Sequence, residues 1–171
     1  MNAVLEAKEI NSMADVEIGH IVYASWGYDQ TNIEFFKVVR KTAAMVELQA
    51  IGQKITDRES AGMSEYVVAD AENELYESCW VVAGQYSEKK VAQEKGWKIA
   101  RNQEASWGSK PWKWNSDFSQ RVVIEEAVKY ERALISKHKA QFSNGKLFVK
   151  MASYKYASSW EGRELHQSHW A

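Results

Sequence analysis

Residues 20–39 read HIVYASWGYDQTNIEFFKVV, and this stretch decides the predicted fold. It contains two runs of β-branched and aromatic residues, 20–26 and 33–39, which have the length of strands and flank the turn-forming segment GYDQTN. Such an arrangement favours a β-hairpin. Gly27 suits the turn, because glycine adopts backbone conformations that cost other residues free energy.

Strand-like segments continue on the C-terminal side of this hairpin. Residues 44–55 alternate, apart from Met45, between an apolar and a polar face, formed by Val46, Leu48 and Ala50 and by Glu47 and Gln49. The polar segment 56–65 predicts a loop, and residues 65–69 predict a short strand. Three successive strands with short connections predict an antiparallel meander.

Two short helices are predicted next. Residues 70–80, DAENELYESCW, begin with an aspartate that can serve as N-cap and carry acids in the first turn, although residues 80–84, WVVAG, also fit a strand. Residues 87–97, SEKKVAQEKGW, fit a short polar helix more clearly, with Ser87 as the N-cap candidate and Gly96 at the C-terminal end.

Residues 118–142 predict one long helix. Apolar side chains recur there at near-helical spacing with charges between them, at Val123, Ala127, Tyr130 and Leu134. Asn144 and Gly145 end this helix, and residues 146–160 predict a final strand or hairpin.

The order of these elements indicates an α+β fold. We expect a twisted antiparallel β meander or a small SH3-like barrel closed by the last strand, with one long helix and one or two short helices. A single domain is predicted over residues 1–171, with residues 1–15 frayed and residues 101–117 forming a Trp-rich loop.

Composition favours a cytoplasmic binding protein. The 171 residues include eight Trp and eight Tyr, which bury large areas in cores and also recur at interfaces. The lone Cys79 excludes an intrachain disulfide or a multi-cysteine zinc site, which fits a reducing cytoplasm. No secretory segment or membrane span is predicted, so the expected partners exclude a membrane.

Charge is distributed unequally along the chain. Residues 1–80 hold six basic and fourteen acidic residues, a net charge of -8, whereas residues 81–171 hold sixteen and nine, a net charge of +7. On separate faces, these halves would attract partners of opposite charge. If the halves fold against each other, much of the charge is neutralised internally.

Catalytic and metal sites have weak sequence support. His166 and His169 have the spacing of a metal-binding pair but lack a third ligand, so no metal or cofactor is predicted. His20 with Asp29 and Glu34 is a candidate acid–base group. The phosphate-loop, nucleophile-elbow and zinc-protease motifs are missing, so an enzyme is not expected, and a small hydrolase or nuclease is kept as the second alternative.

Nucleic-acid binding is the first alternative. Between residues 89 and 113 the chain interleaves seven Lys or Arg residues with tryptophans, and a second basic segment at 137–155 is accompanied by Tyr154 and Tyr156. Rings and cations together bind single strands by stacking and charge. The acidic first half opposes this binding.

Two segments, 19–39 and 146–165, resemble a group of small uncharacterised proteins carried by bacteriophages and plasmids. The pattern of that group runs Gly-Asp-Ile, then Ser-Trp-Gly-Tyr-Asp-Gln-Thr-Asn-Ile, and finally Ser-Tyr-x-Tyr-Ala-x-x-Trp-x-Gly. The match covers residues 19–39 and 150–162, about a fifth of the chain, and His20 replaces the group's usual acid. The resemblance implies a mobile genetic element in a bacterial cell as the setting, and it supplies no catalytic residue or cofactor.

The leading hypothesis is an accessory protein of such an element that binds a host protein or protein complex stoichiometrically. Inhibition of a defence system, of the anti-CRISPR or anti-restriction type, is the expected role, and a second copy of the chain is a further candidate partner. Trp26 and Trp160 are expected to belong to one surface. The predicted binding residues are Tyr28, Asp29, Gln30, Thr31, Asn32, Trp107, Trp112, Trp114, Tyr154, Tyr156 and Trp160.

Overall fold

The computed structural model describes residues 8–169. The chain divides into two compact units, of which the first is formed by the residues up to Leu75 and from Leu134 onward, and the second is Tyr76–Ala133. The single domain over residues 1–171 stays a prediction. Of the segment 1–15 expected to fray, residues 1–7 lie outside the described residues, while Ile10 is buried in the core of the first unit.

The described chain is mostly antiparallel β-structure with one short α-helix. In chain order the elements are a 3-10 turn (Met13–Asp15), β1 (Ile21–Trp26), β2 (Asn32–Lys41), β3 (Met45–Ile55), β4 (Ser64–Glu74), β5 (Tyr76–Val81), α1 (Tyr86–Gln93), β6 (Lys98–Ile99), β7 (Trp112–Trp114), β8 (Arg121–Val123), β9 (Val128–Ala133), β10 (Ile135–Lys139), β11 (Gln141–Ser143), β12 (Lys146–Ala152), β13 (Lys155–Ser159) and β14 (Leu165–Ser168).

The first unit is built on one antiparallel sheet that curls into a half-barrel. Its strand order is β11-β12-β13-β1-β2-β3-β4-β14, and β10 pairs with β3. The predicted meander is confirmed in β1, β2 and β3, and the hairpin predicted over residues 146–160 is confirmed in β12 and β13. β13 closes against β1, where Val22 lies opposite Ser159.

Both faces of this sheet carry an apolar cluster. Phe35 and Phe36 are adjacent in β2, so their side chains point to opposite faces, and both are buried. Phe36 belongs to the first cluster, with Val22, Leu48 and Leu147. Phe35 belongs to the second cluster, on the other face. Burial on both faces explains why apolar residues stand next to each other in β2 at Phe35 and Phe36, instead of alternating strictly with polar ones.

Gln49 departs from the predicted alternation, because this polar side chain is buried rather than solvated. Its Nε2 donates hydrogen bonds to the carbonyl oxygens of Ala50 (3.0 Å) and Leu75 (2.8 Å). The amide therefore satisfies one backbone acceptor in β3 and one at Leu75, directly after β4, which offsets the cost of removing it from water. Val46 and Leu48 lie in the first cluster, as the alternation predicts.

The predicted long helix over residues 118–142 is wrong. This segment contains β8, β9, β10 and β11, and β9 pairs with β5 while β10 pairs with β3. Its β-branched residues suit strands, and the near-helical spacing of its apolar residues was outweighed by pairing with distant strands. In β10, half-buried Ser136 and His138 alternate with exposed neighbours, which is the period of a strand.

Residues 70–80 also form strands instead of the predicted short helix, because β4 continues through Asp70 to Glu74 and β5 follows at once. Asp70 lies opposite Gly52 of β3, so its position is fixed by the ladder and not by a helix cap. The short polar helix is confirmed as α1, although Gln85 rather than Ser87 occupies the N-cap.

The second unit has little core. It consists of the three-stranded sheet β5-β9-β6, the helix α1 and a separate hairpin formed by β7 and β8. Its buried cluster contains only Val82, Ile124 and Ala127, with Trp80 packed beside them. Nowhere in residues 8–169 is there a helix with the length and apolar character needed to cross a bilayer.

Candidate functional site

The predicted binding residues fall into two groups, one in each unit. The group in the first unit lies on the β1–β2 loop and around the β12–β13 hairpin, and the group in the second unit lies on and before β7.

The β1–β2 loop depends on Gly27. Its φ is +132°, and a Cβ atom at this position would lie 2.0 Å from the carbonyl oxygen of Gln30. No other residue fits this backbone without displacing the loop. The loop presents Tyr28 with a fully exposed side chain, while Gln30 is half-buried and donates a hydrogen bond to Asn32 Oδ1 at 3.1 Å.

β14 holds this loop in place through the backbone of Thr31. The Thr31 N–H donates to Ser168 Oγ at 2.9 Å, and the Ser168 N–H donates to the Thr31 carbonyl at 3.1 Å. The loop is therefore fixed by a strand more than a hundred residues later in the chain.

Trp26 at the base of the loop joins the two segments that carry the resemblance. Its Nε1 donates to Glu34 Oε2 at 2.9 Å, and Lys155 Nζ donates to the same oxygen at 2.8 Å. The ring of Tyr154, in the β12–β13 turn, lies 5.6 Å from the Trp26 ring between centroids. Tyr154 therefore packs against Trp26, and this contact connects the β12–β13 turn to the base of the β1–β2 loop.

Trp160 lies on the other face of the sheet, so the expectation that Trp26 and Trp160 share a surface is wrong. Ala24 lies opposite Ala157 in the ladder, and side chains alternate along a strand, which places Tyr156 and Trp160 away from Trp26. Trp160 packs on Phe35 with a centroid distance of 5.3 Å and belongs to the second cluster.

In the second unit, β7 and β8 form a hairpin whose six strand residues are all exposed. Trp112 and Trp114 meet edge to face with ring centroids 5.2 Å apart. The Arg121 guanidinium lies over both rings, 4.4 Å from the centroid of Trp112 and 5.7 Å from that of Trp114. In the loop before β7, Trp107 is fully exposed.

Phe118 lies at the tip of this hairpin and is not among the binding residues predicted from the sequence. It is 75% exposed and has a φ of +60°, which is unfavourable for a bulky side chain. Ser119 maintains the turn by donating its N–H to Asn115 Oδ1 at 2.9 Å and its hydroxyl to Asp117 Oδ1 at 2.7 Å. Residues 115–120, NSDFSQ, are typical of a turn. This turn was not predicted, because the predicted helix began at Phe118.

A shallow groove of about 470 Å³ lies between the Trp107 loop and the hairpin. Trp107, Trp112 and Arg121 line it, together with Lys110, which pairs with Glu125 at 3.1 Å. The groove therefore has flat apolar walls. It also contains one cation, Arg121, that forms no ion pair with an acidic side chain in the described residues. We call residues 107–123 the aromatic hairpin.

The acid–base group predicted from His20, Asp29 and Glu34 is not assembled. His20 lies before β1, at the end of the strand remote from the loop, and its Nε2 is 2.8 Å from Ser159 Oγ. Glu34 is instead engaged by Trp26 and Lys155.

The C-terminal histidines take part in ordinary contacts. His169 Nε2 lies 2.7 Å from Glu65 Oε1, a hydrogen bond that lowers the pKa of Glu65, and His166 packs against the ring of Tyr66. Within residues 8–169 no three His, Cys, Asp or Glu side chains are grouped as metal ligands. Burial raises the pKa of the Cys79 thiol, which opposes formation of a reactive thiolate.

Comparison with known proteins adds no assignment. No protein-family profile, no curated protein and no solved structure is matched by this chain. The functional conclusions therefore rest on the geometry described above and on the resemblance of the loop motif.

Proposed function

We propose that the protein acts by stoichiometric binding to a host protein or protein complex, and that the aromatic hairpin is the contact surface. The observation that carries this proposal is the exposure of Trp112, Trp114, Val122 and Val123 on a two-stranded ribbon that no third strand joins within residues 8–169. Isolated two-stranded ribbons are marginally stable in water, and exposed apolar patches of this kind mark interaction sites. A partner that covers the ribbon stabilises its two strands and shields the apolar side chains from water.

The chemistry of the surface fits a protein partner. Trp and Arg are the residues that contribute most at the centres of protein interfaces, and here Arg121 is held between two tryptophans. Phe118 adds an exposed ring in an unfavourable backbone conformation, and such conformations persist where function requires them. The aromatic hairpin thus supplies exposed aromatic and cationic anchors for a partner.

The resemblance of residues 19–39 and 150–162 to proteins of phages and plasmids supports the setting of this activity. A mobile element benefits from proteins that block host defence, and a stoichiometric blocker needs a binding surface and no catalytic group. Inhibition of a defence system of the anti-CRISPR or anti-restriction type is therefore the biological role we propose.

Affinity capture from a bacterial lysate tests this function. The wild-type protein is compared with Trp107→Ala/Trp112→Ala, and Tyr86→Ala serves as the matched control, because Tyr86 is exposed in the same unit but lies on α1. We expect one host protein to be retained at a fixed ratio by the wild type and the control, and to be lost with the double variant. Equal retention by all three proteins contradicts the proposed surface.

A biological assay tests the role independently of the surface. Cells with an active CRISPR or restriction system are transformed with a targeted plasmid while the protein is expressed. The expected outcome is a higher transformation efficiency with the wild type than with the double variant. An efficiency that expression does not change contradicts the inhibitor role.

Nucleic-acid binding is the second candidate, favoured by the interleaving of Lys110, Lys113 and Arg121 with tryptophans on the same hairpin. It ranks second because Glu125 pairs with Lys110 and removes part of the positive charge. Fluorescence anisotropy with single-stranded DNA and RNA at several salt concentrations tests it. Binding that weakens steeply with salt, and weakens further in Arg121→Gln, supports this candidate; no binding at micromolar protein rejects it.

A further inference from the structure

A second site lies in the first unit, at the end of β1 remote from the β1–β2 loop, and includes His20 and Trp160 among the residues predicted from the sequence. An open cavity of about 570 Å³ is lined by segments 8–21, 144–146 and 159–162, and it is large enough for a small organic substrate. His20 and Ser159 both line it, and Ser159 Oγ lies 2.8 Å from His20 Nε2. A hydroxyl at this distance from an imidazole is the geometry of an activated serine nucleophile.

The hydrogen bonds around Ser159 leave its hydroxyl proton two acceptors, the Leu147 carbonyl oxygen and, in the tautomer with Nε2 unprotonated, His20 Nε2. The Leu147 N–H donates to Ser159 Oγ at 3.1 Å, which leaves the hydroxyl hydrogen to be donated elsewhere. The Leu147 carbonyl is 3.5 Å away, whereas His20 Nε2 is 2.8 Å away, so the imidazole is the better acceptor. His20 is therefore placed to receive the proton of Ser159.

The surroundings keep His20 able to act as a base. Burial lowers its pKa below the ordinary value of 6.5, so the ring is neutral at pH 7. The two charged side chains that act on the imidazole, Glu17 and Lys8, have opposite effects and form an ion pair with each other at 3.1 Å.

The cavity selects the class of substrate by its charge. Its lining includes two basic side chains and four acidic ones, Lys8, Lys146, Glu9, Asp15, Glu17 and Glu161. This excess of negative charge disfavours phosphates and carboxylates. Ile10, Ile21 and Trp160 supply apolar wall, which suits an uncharged acyl group.

We propose that His20 and Ser159 form a nucleophile–base pair that is acylated by small uncharged carboxylic esters in this cavity. The Ser159 O–H bond breaks and its proton passes to His20 Nε2, while Oγ bonds to the carbonyl carbon of the ester. The tetrahedral adduct then expels the alcohol, which takes the proton from the imidazolium. Water repeats the sequence, releases the carboxylic acid and restores the serine.

A fluorophosphonate probe tests this pair directly, because attack by an activated serine forms an O–P bond and expels fluoride. Purified full-length protein is treated with the probe at pH 8, and the labelled residue is identified by peptide mass mapping. We expect stoichiometric labelling of Ser159. The control is internal, since Ser136 Oγ lies 2.6 Å from His138 Nε2 but does not line the cavity. Failure to label Ser159 in the folded wild type, or equal labelling of Ser136, overturns the proposal.

Two variants distinguish catalysis from a structural hydrogen bond. His20→Gln retains a hydrogen-bond acceptor for Ser159 but no base, so labelling and p-nitrophenyl acetate hydrolysis should each fall by about 100-fold. Wild-type labelling should rise with pH through a pKa below 6.5 and then level off. Unchanged labelling in His20→Gln, or a rate that rises in proportion to hydroxide throughout, assigns the pair a structural role and overturns the proposal. The mapping on the wild type decides even if a variant fails to fold.

Discussion

Gly27 is the residue on which the β1–β2 loop depends most. Because a Cβ atom would lie 2.0 Å from the Gln30 carbonyl oxygen, Gly27→Ala should reduce the free energy of unfolding by at least about 3 kcal/mol. Urea unfolding measures this loss. Gly62→Ala is the matched control, since Gly62 also has positive φ but nothing lies within 4 Å of its Cβ position, and it should cost about 1 kcal/mol. Equal losses in the two variants would show that the close contact with Gln30 is unimportant.

Phe118 is the residue where stability and binding should oppose each other. Its φ of +60° costs a bulky residue free energy that glycine avoids, so Phe118→Gly should stabilise the fold by about 0.5 to 1 kcal/mol. The same change removes an exposed ring and should weaken partner binding. Thermal melting and affinity capture check the two effects. A variant that is less stable than the wild type contradicts the strain at this position.

At the scale of elements, the aromatic hairpin should tolerate the loss of its rings. Trp112 is 41% exposed and packs mainly on Trp114 and Arg121, so Trp112→Ala should cost less than about 1.5 kcal/mol of unfolding free energy. Phe35→Ala, in the second cluster, should cost about 3 to 5 kcal/mol. Chemical denaturation compares the two. A loss as large for Trp112 as for Phe35 would assign the hairpin to the core.

The long segment 118–142 illustrates why elements are harder to predict than residues. Val122, Val123 and Ile124 favour strands, but the apolar spacing over the whole segment favours a helix. The segment forms strands because β10 pairs with β3 and β9 pairs with β5, and both partners are distant in sequence. Turn chemistry at Asn115–Gln120 was the local signal for two strands.

At the scale of the whole molecule, the chain ends of the second unit meet. The Leu134 N–H donates to the Leu75 carbonyl at 3.1 Å. The chain therefore leaves the first unit after Leu75 and returns to it at Leu134, and these two positions are adjacent. Replacing them with Asn-Gly, a sequence that suits a two-residue hairpin turn, should leave the first unit folded. Amide dispersion in an NMR spectrum checks this. An unfolded product would support the predicted single domain.

The dependence of stability on pH should reflect the two half-buried histidines, His20 and His138. Burial lowers the pKa of both, so the unfolded chain binds protons first as the pH falls below 6.5. The free energy of unfolding should therefore keep its full value above pH 6.5 and decrease as the pH falls toward 5. Denaturant unfolding between pH 7.5 and 5 measures the decrease, which should be smaller in His20→Gln/His138→Gln. An equal decrease in this variant would assign the effect to other groups.

The charge asymmetry of the sequence is partly neutralised in the fold. In the first unit, Glu34 of the acidic half pairs with Lys155 of the basic half at 2.8 Å; in the second unit, Glu77 of the acidic half pairs with Arg132 of the basic half. Each pair cancels one charge of the acidic half against one charge of the basic half within a single unit. The aromatic hairpin, rather than net charge, is therefore the better guide to a partner.

The sequence by itself determined the features that rest on local chemistry. The β1–β2 hairpin, its glycine turn, the alternating face of β3, the polar helix α1 and the β12–β13 hairpin all follow from turn residues and short-range periodicity. Tertiary structure alone decided which strands pair across long separations, which face Trp160 occupies and that His20 meets Ser159. The physical reason is that a strand obtains its hydrogen bonds from another segment, so its partner, and every side chain brought opposite it, is absent from any local pattern.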